Sequence, residues 1–111
     1  MSKLDTQEEG IPMPINIPAP LTEQLRDLAQ SMGAARLALF GSRARGDHRE
    51  SSDVDLAVWG LDSSQAGRLR LALEDLPTLL RFDVVAVCPD TNPDLLRNIE
   101  KEGIVLYADE M

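Results

Sequence analysis

Cysteine is nearly absent from this sequence. Cys88 is the one thiol in 111 residues, which rules out an intramolecular disulfide framework and a cysteine-based zinc site. By default it reads as a small buried residue in a reducing compartment. Aromatics are also few, and of these Trp59 and Tyr107 read as strand packing. Basic residues are in deficit: 11 Lys and Arg stand against 19 Asp and Glu, a formal charge of −8. Affinity for a nucleic-acid backbone comes mainly from Lys and Arg replacing condensed counterions, so no direct nucleic-acid partner is expected. No apolar run approaches the length that spans a bilayer, and Asp5, Glu8 and Glu9 fall where a secretory signal would need an apolar stretch. The expectation is a cytoplasmic protein with no membrane partner.

What is present is the balance of a globular protein, 43% apolar and 27% charged, with room for one domain and one core. Substrate specificity is then expected from short loops or from a partner. Residues 1–20 read as an extended proline-rich arm. In Ile11-Pro12-Met13-Pro14-Ile15-Asn16-Ile17-Pro18 the prolines forbid helix and remove ladder donors. The arm is read as packed on its own domain, with docking on another protein as the alternative.

Residues 21–111 form the expected domain. Leu21, Leu25, Leu28 and Met32 fall on one helical face, and Gly33 stands where a left-handed residue would stop the helix. Ala35 to Phe40 is a short, well-bounded apolar run that predicts a buried strand. Asp53 to Trp59 predicts a second. Leu69, Leu73, Leu76 and Leu80 repeat the helical spacing, with Pro77 ending or bending that helix near its last turn. Phe82 to Val87 predicts a third strand. Asn92-Pro93 caps and starts a helix that Gly103 ends, and Ile104 to Tyr107 is a last strand. The fold class is α/β (α+β), a mixed sheet of about four strands covered by helices. The first two strands are antiparallel, since no crossover helix separates them.

The chemistry concentrates between Phe40 and Leu56. Gly41 follows a strand, where the lack of a Cβ lets backbone approach a ligand, and Ser42 offers a hydroxyl and an amide to a phosphate oxygen. Arg43 and Arg45 supply local positive charge for a triphosphate, with a solvated or salt-bridged pair as the other reading. Asp53 and Asp55 are two apart on a strand and present both carboxylates to one face, a hard-oxygen pair suited to Mg²⁺. Asp83 lies in another apolar strand, where a carboxylate needs a partner. If that strand lies beside the second, Asp53, Asp55 and Asp83 converge at one sheet edge; otherwise Asp83 sits at an exposed start and pairs with Arg81. His48 is a poor basis for a metal or base assignment.

Gly41-Ser42, ten intervening residues, Asp53-Val54-Asp55 and a third acid on a later strand resemble the signature of the DNA polymerase beta nucleotidyltransferase superfamily. The fuller string Gly-Ser-Arg-Ala-Arg-Gly before Ser-Asp-Val-Asp-Leu is similar to its minimal nucleotidyltransferase branch, from about Leu21 to Tyr107. The resemblance implies a magnesium-dependent transfer of AMP from ATP to an acceptor hydroxyl. Gly41 and Ser42 would hold the β and γ phosphates, Asp53 and Asp55 would bind metal, and Asp83 would complete the site for a second Mg²⁺ ion and help activate the acceptor, the three acids being the catalytic set. It further implies an antitoxin whose partner is a HEPN-domain toxin, modified on a Tyr hydroxyl. The resemblance makes that toxin a ribonuclease, and an acidic chain suits a basic ribonuclease surface. The competing readings are a binding module that blocks its partner by contact, and a small-molecule enzyme of the aminoglycoside type, for which the chain has no room for an acceptor domain.

Overall fold

The computed structural model describes residues 17–49 and 52–109. Within them the chain runs Ala19–Ser31 (α1), Arg36–Phe40 (β1), Ser42–Arg45 (α2), Val54–Trp59 (β2), Ser63–Glu74 (α3), Phe82–Val87 (β3), Pro93–Glu102 (α4) and Ile104–Ala108 (β4). The order expected from periodicity is present. The single turn α2 is an addition, because four residues are too few to display a 3.6-residue period. The proline-rich arm falls mostly outside the described residues; Ile17, near its end, is buried.

Local chemistry explains the element ends. α1 closes with Gly33 at φ 76°, its N–H donating to the Gln30 carbonyl at 3.1 Å while the Ala34 N–H reaches Ala29 at 3.0 Å, a paired closure that satisfies two orphan carbonyls. α3 starts on a reciprocal cap: the Gln65 N–H donates to the Asp62 carboxylate at 2.8 Å, and the Asp62 N–H to the Gln65 side-chain oxygen at 3.0 Å. Its far end corrects the helical spacing read through Leu76 and Leu80. α3 stops at Glu74, because Pro77 has no N–H to continue the ladder and disfavours helix in the residue before it. Leu76 and Leu80 still pack against the core from the following loop. In α4 the Asn92 side chain accepts from the Asp94 and Leu95 amides.

The sheet has the order β3-β2-β1-β4. β1 is antiparallel to β2 and β4, while β2 and β3 are parallel and joined through α3, since a parallel pair requires a crossover. Alternation then sorts the side chains onto two faces. Leu37, Leu39, Val54, Leu56, Val58 and Val84 pack with Leu21, Leu25 and Ala29 of α1 and Leu69 and Leu73 of α3. Phe40 and Ala57 face the other way and pack with Ile99 of α4. Each fully buried Leu or Val contributes roughly 1.5–3 kcal/mol. Cys88 departs from the buried reading: it is exposed, because it follows β3 in a turn closed by the Thr91 N–H on its carbonyl at 3.0 Å. Among the described residues no helix is long and apolar enough to cross a membrane.

Candidate active site

Asp55 is the centre of the site because two registers meet on it. It stands opposite Phe40 across the β1–β2 pair and beside Asp83 in the parallel β2–β3 pair. Asp55 and Asp83 therefore share the sheet face that carries Phe40 and Ala57. Asp53 lies just before β2, whose first N–H, that of Val54, donates to the Arg81 carbonyl at 2.8 Å. This bond ties the start of β2 to the start of β3.

Burial pushes the half-buried Asp55 carboxyl above its ordinary value, and the charges of Asp83 and then Asp53 push it further; Arg45 opposes the shift and Glu102 adds to it. Such crowding of like charge is relieved by a cation. The three acids are gathered rather than closed into a cage. Among the described residues no three acidic, His or Cys side chains already form a metal cluster. The argument that burial forces a partner holds for Asp55 but not for Asp83, which is exposed at the start of its edge strand. No ion pair joins Asp83 to Arg81 among the described residues. The oxygen donor set nevertheless fits Mg²⁺, which keeps waters and substrate oxygens in most of its positions.

Gly41 closes the other side. Its backbone at φ 79°, ψ −156° lies in a region essentially reserved for glycine, and a Cβ there would overlap the Asp55 carboxylate. The β1-to-α2 turn thus sits directly against the acid. The Gly41 carbonyl accepts from the amides of Ala44 and Arg45, both at 3.0 Å, which shapes α2. Ser42 is half-buried, and its hydroxyl has no hydrogen-bond partner among the described residues.

The two arginines divide. Arg43 is buried, and its guanidinium donates to the carbonyls of Ser52 at 3.0 Å and Arg49 at 3.4 Å, holding the loop that delivers Asp53. Arg45 is exposed on the site side, donating to Asp47 at 3.0 Å and to both carboxylate oxygens of Glu102 at 3.1 Å. These carboxylates, Asp47 first, raise its pKa. Glu102 also accepts from the Gly41 N–H at 3.2 Å. Sequence reasoning missed it: a Glu in the last turn of a helix is ordinary, and its place depends on β4 lying beside β1. Trp59, at the far end of β2, packs against the Phe40 cluster with the Arg36 guanidinium 3.8 Å over its ring, in keeping with strand-end packing.

A helix-covered mixed sheet with a Gly-Ser turn against paired strand carboxylates is the architecture of a nucleotidyl-transferring domain. Residues 23–110 match the family described as Polymerase beta, nucleotidyltransferase, and the chain belongs to that enzyme family. It is similar to the protein adenylyltransferase MntA of Thermococcus cleftensis, with 32% identity over 62 residues, 56% of this chain and 50% of that protein. The chain thus spans about half the length of that curated relative. A solved structure described as a minimal nucleotidyltransferase is 36% identical, aligns over 77% of this chain and 88% of its own, and superposes with a TM-score of 0.63. The toxin–antitoxin MntA–HpeT, in a mutant form, gives a TM-score of 0.66 at 19% identity over 80% of this chain and 74% of that one, and a toxin–antitoxin with AMP-PNP gives 0.61 at 22% identity, with the same coverage. These last two are likenesses of fold.

Proposed function

We propose that this chain is a protein adenylyltransferase of a toxin–antitoxin pair, moving AMP from ATP to a Tyr hydroxyl of a HEPN-domain toxin in the cytoplasm. The observation that carries the reading is the placement of Asp55 beside Asp83 on β2 and β3, with Gly41 held against the Asp55 carboxylate. Support also comes from the relative named a protein adenylyltransferase and from the toxin–antitoxin neighbour with AMP-PNP.

In this reading Asp53 and Asp55 would hold Mg²⁺, and Asp83 would complete the site for a second ion. Mg²⁺, when bound, supplies neutralisation of the charge on the phosphate oxygens. Gly41 and Ser42 orient the β and γ phosphates so that the α-phosphorus faces the acceptor. The acceptor oxygen attacks the α-phosphorus, the bond to the bridging oxygen of the β phosphate breaks, and pyrophosphate leaves. Asp83, exposed at the start of β3, takes the proton of the acceptor hydroxyl.

The test incubates the chain, Mg²⁺ and ATP labelled on the α phosphate with the HEPN protein. Label is expected on one Tyr of the partner and absent with the Asp53→Ala, Asp55→Ala double variant. An unlabelled partner in the presence of the folded native chain sinks the reading. Neutralisation by the double variant equal to native would instead establish blocking by contact.

A further inference from the structure

Glu102 lies 61 residues from Gly41 in sequence, yet its carboxylate holds the Gly41 N–H at 3.2 Å. The sheet explains the meeting. β1 and β4 are antiparallel with Ala38 opposite Val105 and Leu39 opposite Ile104, and that register extended by two residues sets Gly41 opposite Glu102. The last residue of α4 is thereby delivered to the turn that follows β1. Arg45 grips the same carboxylate through both oxygens at 3.1 Å, and the Glu102 side chain is only 19% exposed against 46% for Arg45.

The Gly41 amide and the Arg45 guanidinium are two donors that a phosphate oxygen would use in the proposed reaction, and a carboxylate already satisfies both. Charge-assisted bonds of this kind are the strong ones, and carboxylate and phosphate compete for the same donors. Resting on the nucleotidyltransferase reading above, we infer that Glu102 is an internal anion standing in the triphosphate's place, which an entering nucleotide must displace. It is a positioning residue that sets which ligands gain entry. A polyphosphate arriving with its cation offers several charged oxygens to replace one carboxylate; a nucleoside without phosphate offers none. When pyrophosphate leaves, Glu102 closes back on Gly41 and Arg45.

The test measures dissociation constants of three probes, a non-hydrolysable ATP analogue with Mg²⁺, pyrophosphate with Mg²⁺, and adenosine, for the native chain, Glu102→Gln and Glu102→Ala. Glu102→Gln keeps size and shape while removing one of the two charges that hold Arg45, Asp47 keeping the other, so it remains decisive if Glu102→Ala misfolds. Both phosphate probes are expected to bind about five- to tenfold more tightly to Glu102→Gln, the difference between displacing a charge-assisted and a neutral hydrogen bond, with adenosine unchanged. Phosphate probes that bind equally or more weakly overturn the inference, as does an equal gain for adenosine. In either case shifts of the Gly41 and Ser42 amides on binding to the native chain keep the nucleotidyltransferase reading intact. Phosphate probes that bind neither the native chain nor the variants overturn both.

Discussion

Gly41 and Asp55 are built against each other: the glycine backbone lies at φ 79°, and any Cβ at position 41 would overlap the Asp55 carboxylate. Two penalties fall on one substitution. Gly41→Ala meets a backbone region that costs of order 1–3 kcal/mol outside glycine, and it also displaces the central acid. Denaturant unfolding is expected to show a loss of at least that size, with transfer activity lost alongside. Combining Gly41→Ala with Asp55→Ala relieves the overlap but not the backbone strain, so the double variant should be more stable than the sum of the singles by about 0.5 kcal/mol or more. Strict additivity would locate the whole cost in the backbone.

Much of this arrangement was legible in sequence because periodicity and punctuation agree. The leucines of α1, the run before Gly41, the apolar half of β2 and the Asn92-Pro93 start each carry their own signal, and the elements formed accordingly. What escaped was set by distance or by competition. Glu102 has no local mark, since only the β1–β4 register brings it to Gly41. Pro77 marks the end of the helix carrying Leu69 and Leu73, but the stop falls at Glu74, a turn sooner than the spacing through Leu76 and Leu80 implies. Asp83 looks buried by its neighbours in sequence, but an edge strand leaves it exposed. Arg43 and Arg45 are indistinguishable on paper, and the one-turn α2 sends them to opposite duties.

Those duties predict different losses. Arg43 ties the carbonyls of Ser52 and Arg49 from a buried position, so Arg43→Met should cost about 1.5–3 kcal/mol of stability, the range for hydrogen bonds to charged groups. Lys should not rescue it, lacking the planar fork that reaches two carbonyls. Thermal unfolding of both variants beside the affinity for an ATP analogue is the check. Weakened nucleotide binding at unchanged stability would place Arg43 on phosphate instead.

α4 carries both Ile99, packed in the core, and Glu102 at its end, so its start should matter to the site at its finish. Asn92→Ala removes the acceptor of two amides and is expected to cost about 1 kcal/mol. Hydrogen exchange should rise first in the opening turn of α4. If exchange rises instead across β2 and β3, the cap is supporting the whole sheet rather than one helix.

Asp55 should be a residue that the fold tolerates at a cost and the reaction requires. Its carboxyl lies above its ordinary value of 3.8 because burial, Asp83 and Asp53 all resist ionisation. A carboxyl raised in this way holds its proton more firmly folded than unfolded. Its contribution to stability is fully present below the unfolded value and is lost as pH rises through the folded one. At neutral pH the ionised group therefore opposes folding. Asp55→Asn removes that opposition, so with a chelator at neutral pH the variant should unfold at a higher denaturant concentration than the native chain. The difference should shrink as pH falls towards the ordinary carboxylate range. Mg²⁺ should stabilise the native chain and leave Asp55→Asn nearly unchanged, since ligand bound to the folded state alone adds stability by mass action. Transfer activity should fall by more than about 100-fold, beyond what even outer-shell changes at metal sites produce. An Asp55→Asn variant less stable than the native chain in chelator at neutral pH would show that the carboxylate is held by compensating contacts rather than crowded by its neighbours.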